Sequence, residues 1–265
     1  MCRENPCNRH FARLVEAKAV GIPVGPETGY QLTAEKVARH WGPRTRGVLV
    51  ANPGNPTGTL ISPEELAAIH AEVNARGGCL IVDEIYHELV YDVRPPSAAG
   101  LGEDVVVINS FSKYFLMTGW RLGWMLIPEA LLPGIDKLAQ NIFLAAPTMA
   151  QHAAVQALTA DTRRLLEQNK TELRQRRDVL LPELDRLGFQ VNSMPQGAFY
   201  CYADITRFGM TSEALAERLL LEAGVAITPG TDFGAYQASR HVRFAYTTSL
   251  ARIQEAVRRI EVLLG

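Results

Sequence analysis

From Gly47 to Ile127, short apolar runs alternate with segments whose apolar residues recur at helical spacing. GVLVA (47–51) is a strand candidate that runs into turn residues. Ser62, Pro63 and Glu65 form the start of a capping box, with Leu66, Ile69 and Val73 on one helical face and Gly77 as the stop. CLIV (79–82), VVVI (105–108) and LGWMLI (122–127) are three further strand candidates. Continuous apolar strands separated by helices predict an α/β fold, with a mostly parallel sheet covered by helices on both faces.

The pattern then changes. A long helical stretch from about Asp161 to Arg186, stopped by Gly188, leads into FQVNS and GAFYCYAD. A helix over Ser212–Ala223, stopped by Gly224, precedes the strand candidate VAIT (225–228), and HVRFAYT (241–247) is another. A last amphipathic helix carries Leu250, Ile253, Val257 and Ile260. Antiparallel strands with helices on one side predict a smaller α+β domain. The predicted boundary divides residues 1–165 from 166–265.

Composition narrows the candidate partners. With 27 basic and 28 acidic residues the net charge is -1, which gives no electrostatic case for nucleic acid or an anionic membrane. No apolar run approaches the roughly 18 residues that a membrane span requires. The N-terminus, MCRENPCNRHF, is polar, and no leader peptide is expected. Cys2, Cys7, Cys79 and Cys201 form no CxxC pair and are expected to be reduced thiols in a cytoplasmic protein.

Three polar clusters fall at the carboxyl ends of the predicted strands, where functional residues gather in an open α/β sheet. They are NPGNPTG (52–58), DEIY (83–86) and SFSK (110–113). Taken singly, each has an ordinary explanation as a turn, a helix cap or a solvated lysine. Together they bring a lysine and an aspartate to one rim, a combination that suits pyridoxal 5'-phosphate. A lysine amine can form a Schiff base with its aldehyde, and a carboxylate facing the pyridine nitrogen keeps that nitrogen protonated. Ser110, Ser112 and Arg121 could hold the phosphate, with Arg121 offering a bidentate fork. Tyr86 and Asn55 could hold the phenolic oxygen.

NPxNPTG, DExY and SxSK followed by GxRxG, in this order and spacing, resemble the class I/II aminotransferases of fold type I. The resemblance covers nearly the whole chain. It implies that Lys113 is the catalytic lysine that bonds the cofactor and moves the substrate proton. It implies that Asp83 pairs with the pyridinium nitrogen, that Tyr86 and Asn55 bond the phenolic oxygen, and that Ser110, Ser112 and Arg121 bind phosphate. Arg243, in HVRFAYTTS, matches the arginine that clamps the substrate α-carboxylate, and Asn55 joins it in substrate binding. Apart from the resemblance, Arg243 reads first as a structural strand arginine. Phe199 and Tyr200 are either pocket or core aromatics. The activity implied is transfer of an amino group between an amino acid and a 2-oxo acid by a homodimer, with no metal. The sequence does not choose among aspartate, alanine, aromatic amino acids and N-succinyl-diaminopimelate.

Members of that family carry a long segment ahead of the point matched by PCNRHF (6–11), including a glycine-rich phosphate loop and usually a ring-stacking aromatic. No glycine-rich loop precedes Gly54 here, and Trp41 reads as a turn residue. The expectation is a large domain incomplete at its N-terminal side, with AKAVGIPV (17–24) as a strand. A catalytically impaired member, or a lyase of the same fold, stays open beside the aminotransferase. Ser110 to Lys113 also fits the S-x-x-K of penicillin-binding enzymes. That motif needs an SDN-like and a KTG-like partner, and the one Lys-Thr pair, Lys170-Thr171, continues into glutamate.

Overall fold

A computed structural model describes residues 7–265, so Cys2 lies outside the described residues. In chain order the elements are α1 (Cys7–Leu14), α2 (Ala34–His40), β1 (Gly47–Ala51), α3 (Pro63–Ala75), β2 (Cys79–Asp83), β3 (Val105–Ser110) and β4 (Gly123–Leu126). They continue with α4 (Leu132–Ile142), α5 (Thr148–Ala157), α6 (Ala160–Leu187), β5 (Tyr200–Asp204), α7 (Ser212–Ala223), β6 (Thr228–Pro229), β7 (His241–Ala245) and α8 (Leu250–Leu264). They belong to two compact units that interleave along the chain. One comprises Leu32–Pro53 and Ile61–Lys170; the other comprises the chain up to Gln31, Gly54–Leu60 and Thr171–Gly265.

The first unit is built on a four-stranded sheet in the order β1-β2-β3-β4. β1, β2 and β3 pair in parallel, and β4 returns antiparallel to β3. The parallel strands are apolar on both faces, as this geometry requires: Leu80, Val82, Val105 and Val107 are buried on one and Val106 on the other. α3 starts where the sequence asks it to: the Ser62 hydroxyl accepts from the Glu65 amide at 3.2 Å, with Pro63 in the first turn. The Glu65 carboxylate in turn accepts from the Ala34 amide at 2.7 Å and so caps α2 as well. Leu66, Ile69 and Val73 face the core. Coverage of the sheet stops short of β4, every residue of which is exposed, and α4 buries none of its own.

The second unit holds an antiparallel sheet in the order β5-β7-β6. Tyr200, Cys201, Val242 and Tyr246 form its core with Phe189, Leu215, Leu219 and Ile260 from the surrounding helices. α7 ends at Gly224, φ 65°, whose amide returns to Leu219 and Leu220.

Two strand expectations need correction. VAIT yields only Thr228–Pro229 as strand, paired to Arg243 and Val242. The Val225 amide is taken by Leu219 in the helix cap, and Pro229 has no N–H with which to extend the ladder. AKAVGIPV forms no strand, because Gly21 and Pro23 interrupt it and no neighbouring strand pairs with it. α4 and α5 lie outside the elements predicted above, although Leu132, Ile135, Leu138 and Ile142 recur at helical spacing in the first of them. No helix among the described residues is long and apolar enough to cross a membrane. None of their His, Cys, Asp and Glu residues cluster in a way that could hold a metal ion.

Candidate active site

In the four-stranded unit, strand alternation sorts the side chains before any chemistry is invoked. Asp83 pairs in register with Ile108, and Ser110 follows Ile108 by two, so the three point to one face. Val107 and Asn109, with Trp124 and Leu126 of β4, point to the other face. There they line a cleft of about 500 Å³ with Glu84, His87 and Arg94, away from the face that carries Asp83 and Ser110.

Asp83 ends β2, and its carboxylate accepts from the Ile85 amide at 3.0 Å. Burial pushes its carboxyl above the usual carboxylate range, and the adjacent Glu84 pushes the same way; the Ile85 amide and the nearby Lys113 charge oppose them. Glu84 is itself buried, its carboxylate tied to the Ser97 hydroxyl at 2.9 Å and the Ala98 amide at 2.7 Å. The loop after β2 brings Tyr86 in as well, and the Lys113 Nζ lies 5.8 Å from the centre of its ring.

The turn after β3 is tied to itself. The Ser110 hydroxyl contacts that of Ser112 at 2.9 Å, lies 3.1 Å from the Leu122 carbonyl, and accepts from the Ser112 amide at 3.0 Å. Arg121 is exposed and adopts a left-handed backbone, φ 52°. One of its guanidinium nitrogens donates to the Thr118 carbonyl at 2.9 Å. The guanidinium carries five donors in all, so others remain for an anion. Asp83, Tyr86, Ser110, Ser112, Lys113 and Arg121 thus sit on the ends of β2 and β3 and the loops after them, in one unit. Their donor set is an amine, a carboxylate kept close to it, two hydroxyls and a guanidinium, and it fits the aldehyde, ring nitrogen and phosphate of pyridoxal phosphate.

Asn55 and Arg243 are brought together in the other unit. Arg243 donates through Nη1 to Asn55 Oδ1 at 3.0 Å and through Nη2 to the Thr228 hydroxyl at 3.3 Å. Its guanidinium carbon lies 4.7 Å from the ring centre of Phe233 and 5.0 Å from that of Tyr200. Tyr200 is buried in β5, while its neighbour Phe199 is half-buried. Asn55 is held by the turn around it, in which the Gly58 amide donates to the Gly54 carbonyl at 2.7 Å and the Gly54 amide to the Thr59 carbonyl at 2.9 Å. Both Asn-Pro bonds of NPGNPTG are cis. No sequence pattern marks Phe233, Thr228 or Thr118 as neighbours of these groups. Phe233 and Thr228 reach Arg243 only through the sheet and its turn, and a threonine five residues past a lysine carries no pattern of its own.

Comparison with known proteins gives a consistent picture. Residues 9–260 match the family described as Aminotransferase class I and II. The chain is 42% identical over 257 residues to the valine–pyruvate aminotransferase of Mycobacterium tuberculosis, covering 96% of this chain and 66% of that one. It is 35% identical over 258 residues to the aspartate/prephenate aminotransferase of Thermus thermophilus, covering 96% and 66%. Among solved structures, an aminotransferase from Mycobacterium tuberculosis superposes with TM-score 0.94 at 41% identity, covering 99% of this chain and 68% of that one. The aromatic aminotransferase of Pyrococcus horikoshii gives TM-score 0.91 at 30% identity, covering 98% and 71%. The chain spans about two thirds of the length of the curated relatives it matches.

Proposed function

The chain belongs to the class I and II aminotransferase family, and from that premise we propose that it binds pyridoxal phosphate through Lys113 and moves an amino group between an amino acid and a 2-oxo acid. The observation that carries this reading is the placement of Lys113 beside Asp83, close enough for the amine's charge to bear on the carboxylate, on the turn that also presents Ser110, Ser112 and Arg121. Pyridoxal phosphate supplies an aldehyde for the amine and a ring that accepts electrons from the substrate carbon.

The chain's own residues supply the rest. The Lys113 amine takes the substrate α-proton and returns it, acting as base and then acid. Asp83 holds a negative charge toward the ring nitrogen in a site dry enough for that charge to matter. The two serines and Arg121 hold the phosphate, and Tyr86 holds the phenolic oxygen. Arg243 receives the α-carboxylate as a bidentate partner, its plane fixed by Phe233 and Tyr200. That carboxylate is common to every amino acid and 2-oxo acid, including valine, pyruvate and aspartate in the names of the relatives. We place the enzyme in the cytoplasm as a homodimer, with Cys79 and Cys201 as free thiols.

The test is a transamination assay in which the purified chain, supplied with pyridoxal phosphate, meets an amino-acid donor panel and a 2-oxo-acid acceptor. Turnover that falls to background in Lys113→Ala supports the proposal. Turnover unchanged in that variant overturns it.

A further inference from the structure

We propose that Thr118 is a positioning residue for Lys113, its hydroxyl holding the carbonyl of the peptide that leads into the lysine and locking the lysine and Arg121 into one turn. The inference rests on the reading of Lys113 given above. The Thr118 Oγ1 donates to the Ser112 carbonyl at 2.6 Å, and that carbonyl belongs to the peptide bond whose nitrogen is Lys113's own. The Thr118 carbonyl meanwhile accepts from the Arg121 guanidinium at 2.9 Å. One residue therefore touches both the main chain at the lysine and the side chain of the arginine.

The turn needs such a tie. Leu116 and Arg121 both sit in the left-handed region, at φ 56° and 52°, though neither is glycine. Each such residue is strained and persists only where its surroundings over-determine it. Main-chain bonds close the turn, among them Leu116 N–H to the Lys113 carbonyl and Met117 N–H to the Phe111 carbonyl, both at 3.1 Å. Neither constrains the Ser112 peptide plane, which sets the direction in which the Lys113 side chain leaves the main chain. The Thr118 hydroxyl does. Leu116 is 65% exposed and has little packing to replace that bond.

Thr118→Val removes the hydroxyl at nearly constant shape, and Thr118→Ser restores it without the methyl. Three quantities are measured on wild type and both variants. They are the affinity for pyridoxal phosphate by absorbance titration, the pH midpoint of the visible absorbance of the lysine-bound cofactor, and the acylation rate of Lys113 in the cofactor-free chain by peptide mass. The thermal midpoint of the cofactor-free chain serves as a folding control. Losing one positioning hydrogen bond is expected to weaken cofactor affinity by about three- to tenfold in Thr118→Val. The pH midpoint and the acylation rate are expected to shift with it, and Thr118→Ser to return all three to within about twofold of wild type. A Thr118→Val chain that keeps wild-type affinity, pH midpoint and acylation rate overturns the proposal. So does a change in thermal midpoint alone, or a Thr118→Ser variant that behaves like Thr118→Val. If wild type shows no lysine-bound absorbance, the reading of Lys113 fails first, and the proposal falls with it.

Discussion

Arg243 shows how a side chain that looks merely structural in a strand can be shaped for an anion. Phe233 and Tyr200 flank its guanidinium, and Asn55 and Thr228 take two of its donors, so the fork is held in one plane. A cation held near an aromatic face is worth about 0.5–2 kcal/mol. Phe233→Leu is therefore expected to raise KM for both substrates by roughly two- to thirtyfold with kcat nearly unchanged, read from steady-state kinetics. Equal loss in kcat would assign Phe233 another role. Cys201 gives a second test at this scale. Burial in β5 pushes its thiol up to about 12, so the sulfur stays neutral in the folded chain and is expected to resist iodoacetamide until denaturant is added. Rapid labelling of Cys201 in the native chain would contradict its burial. The lysine, the aspartate and the serines were legible because their spacing after apolar runs is a local pattern. The planes and tilts that surround Arg243 were not, since they arise where β7 meets β5 and β6.

At the scale of elements, the turn carrying Asn55 depends on a glycine. Gly58 has φ 68°, and a Cβ there would lie 2.6 Å from the Gly197 carbonyl oxygen, which leaves no room for it. The Gln196 and Gly197 amides both donate to the Gly58 carbonyl at 2.9 Å. Gly58→Ala is expected to cost at least about 1–3 kcal/mol, seen as a lower urea midpoint at unchanged slope. A neutral effect would show that the turn can move. In α8, Glu255 sits between Arg258 and Arg259, which hold its carboxyl down at about 2 against an ordinary 4.5. A carboxyl with a lowered folded-state pKa contributes stability that is present above the unfolded-state value and lost as pH falls toward the folded-state value. Urea midpoints of wild type and Glu255→Gln should therefore differ above pH 4.5 and converge as the pH falls toward about 2. A gap that persists at the acid end would point to packing rather than charge. The helices with caps and periodic faces, α3 and α7, were readable residue by residue. VAIT was misread because its apolar composition does not reveal that the helix cap claims its first amide and a proline closes its ladder.

The described residues leave many large apolar side chains exposed. Trp124, Met125 and Leu126 of β4 are exposed, as are Leu138, Ile142, Phe143 and Leu144 in and just after α4. Patches of this kind on soluble chains mark association surfaces, and the homodimer proposed above gives this one a partner. Replacing Ile142 and Phe143 together by aspartate is expected to shift sedimentation toward a smaller species at equal concentration, with the far-ultraviolet spectrum unchanged. Identical sedimentation would remove α4 from the contact. The α/β class and the separate antiparallel sheet were legible from the change in periodicity along the chain. The interleaving of the two units was not, because Gly54–Leu60 and the chain up to Gln31 join the second unit by contacts far apart in sequence.

The central claim is that one particular amine bonds the cofactor. It is tested most directly by adding pyridoxal phosphate to the purified chain, reducing with borohydride and mapping the peptides by mass. A single reduced adduct is expected on the peptide that contains Lys113, absent in Lys113→Ala. An adduct on Lys137 or Lys170 instead, or none at all, would contradict it.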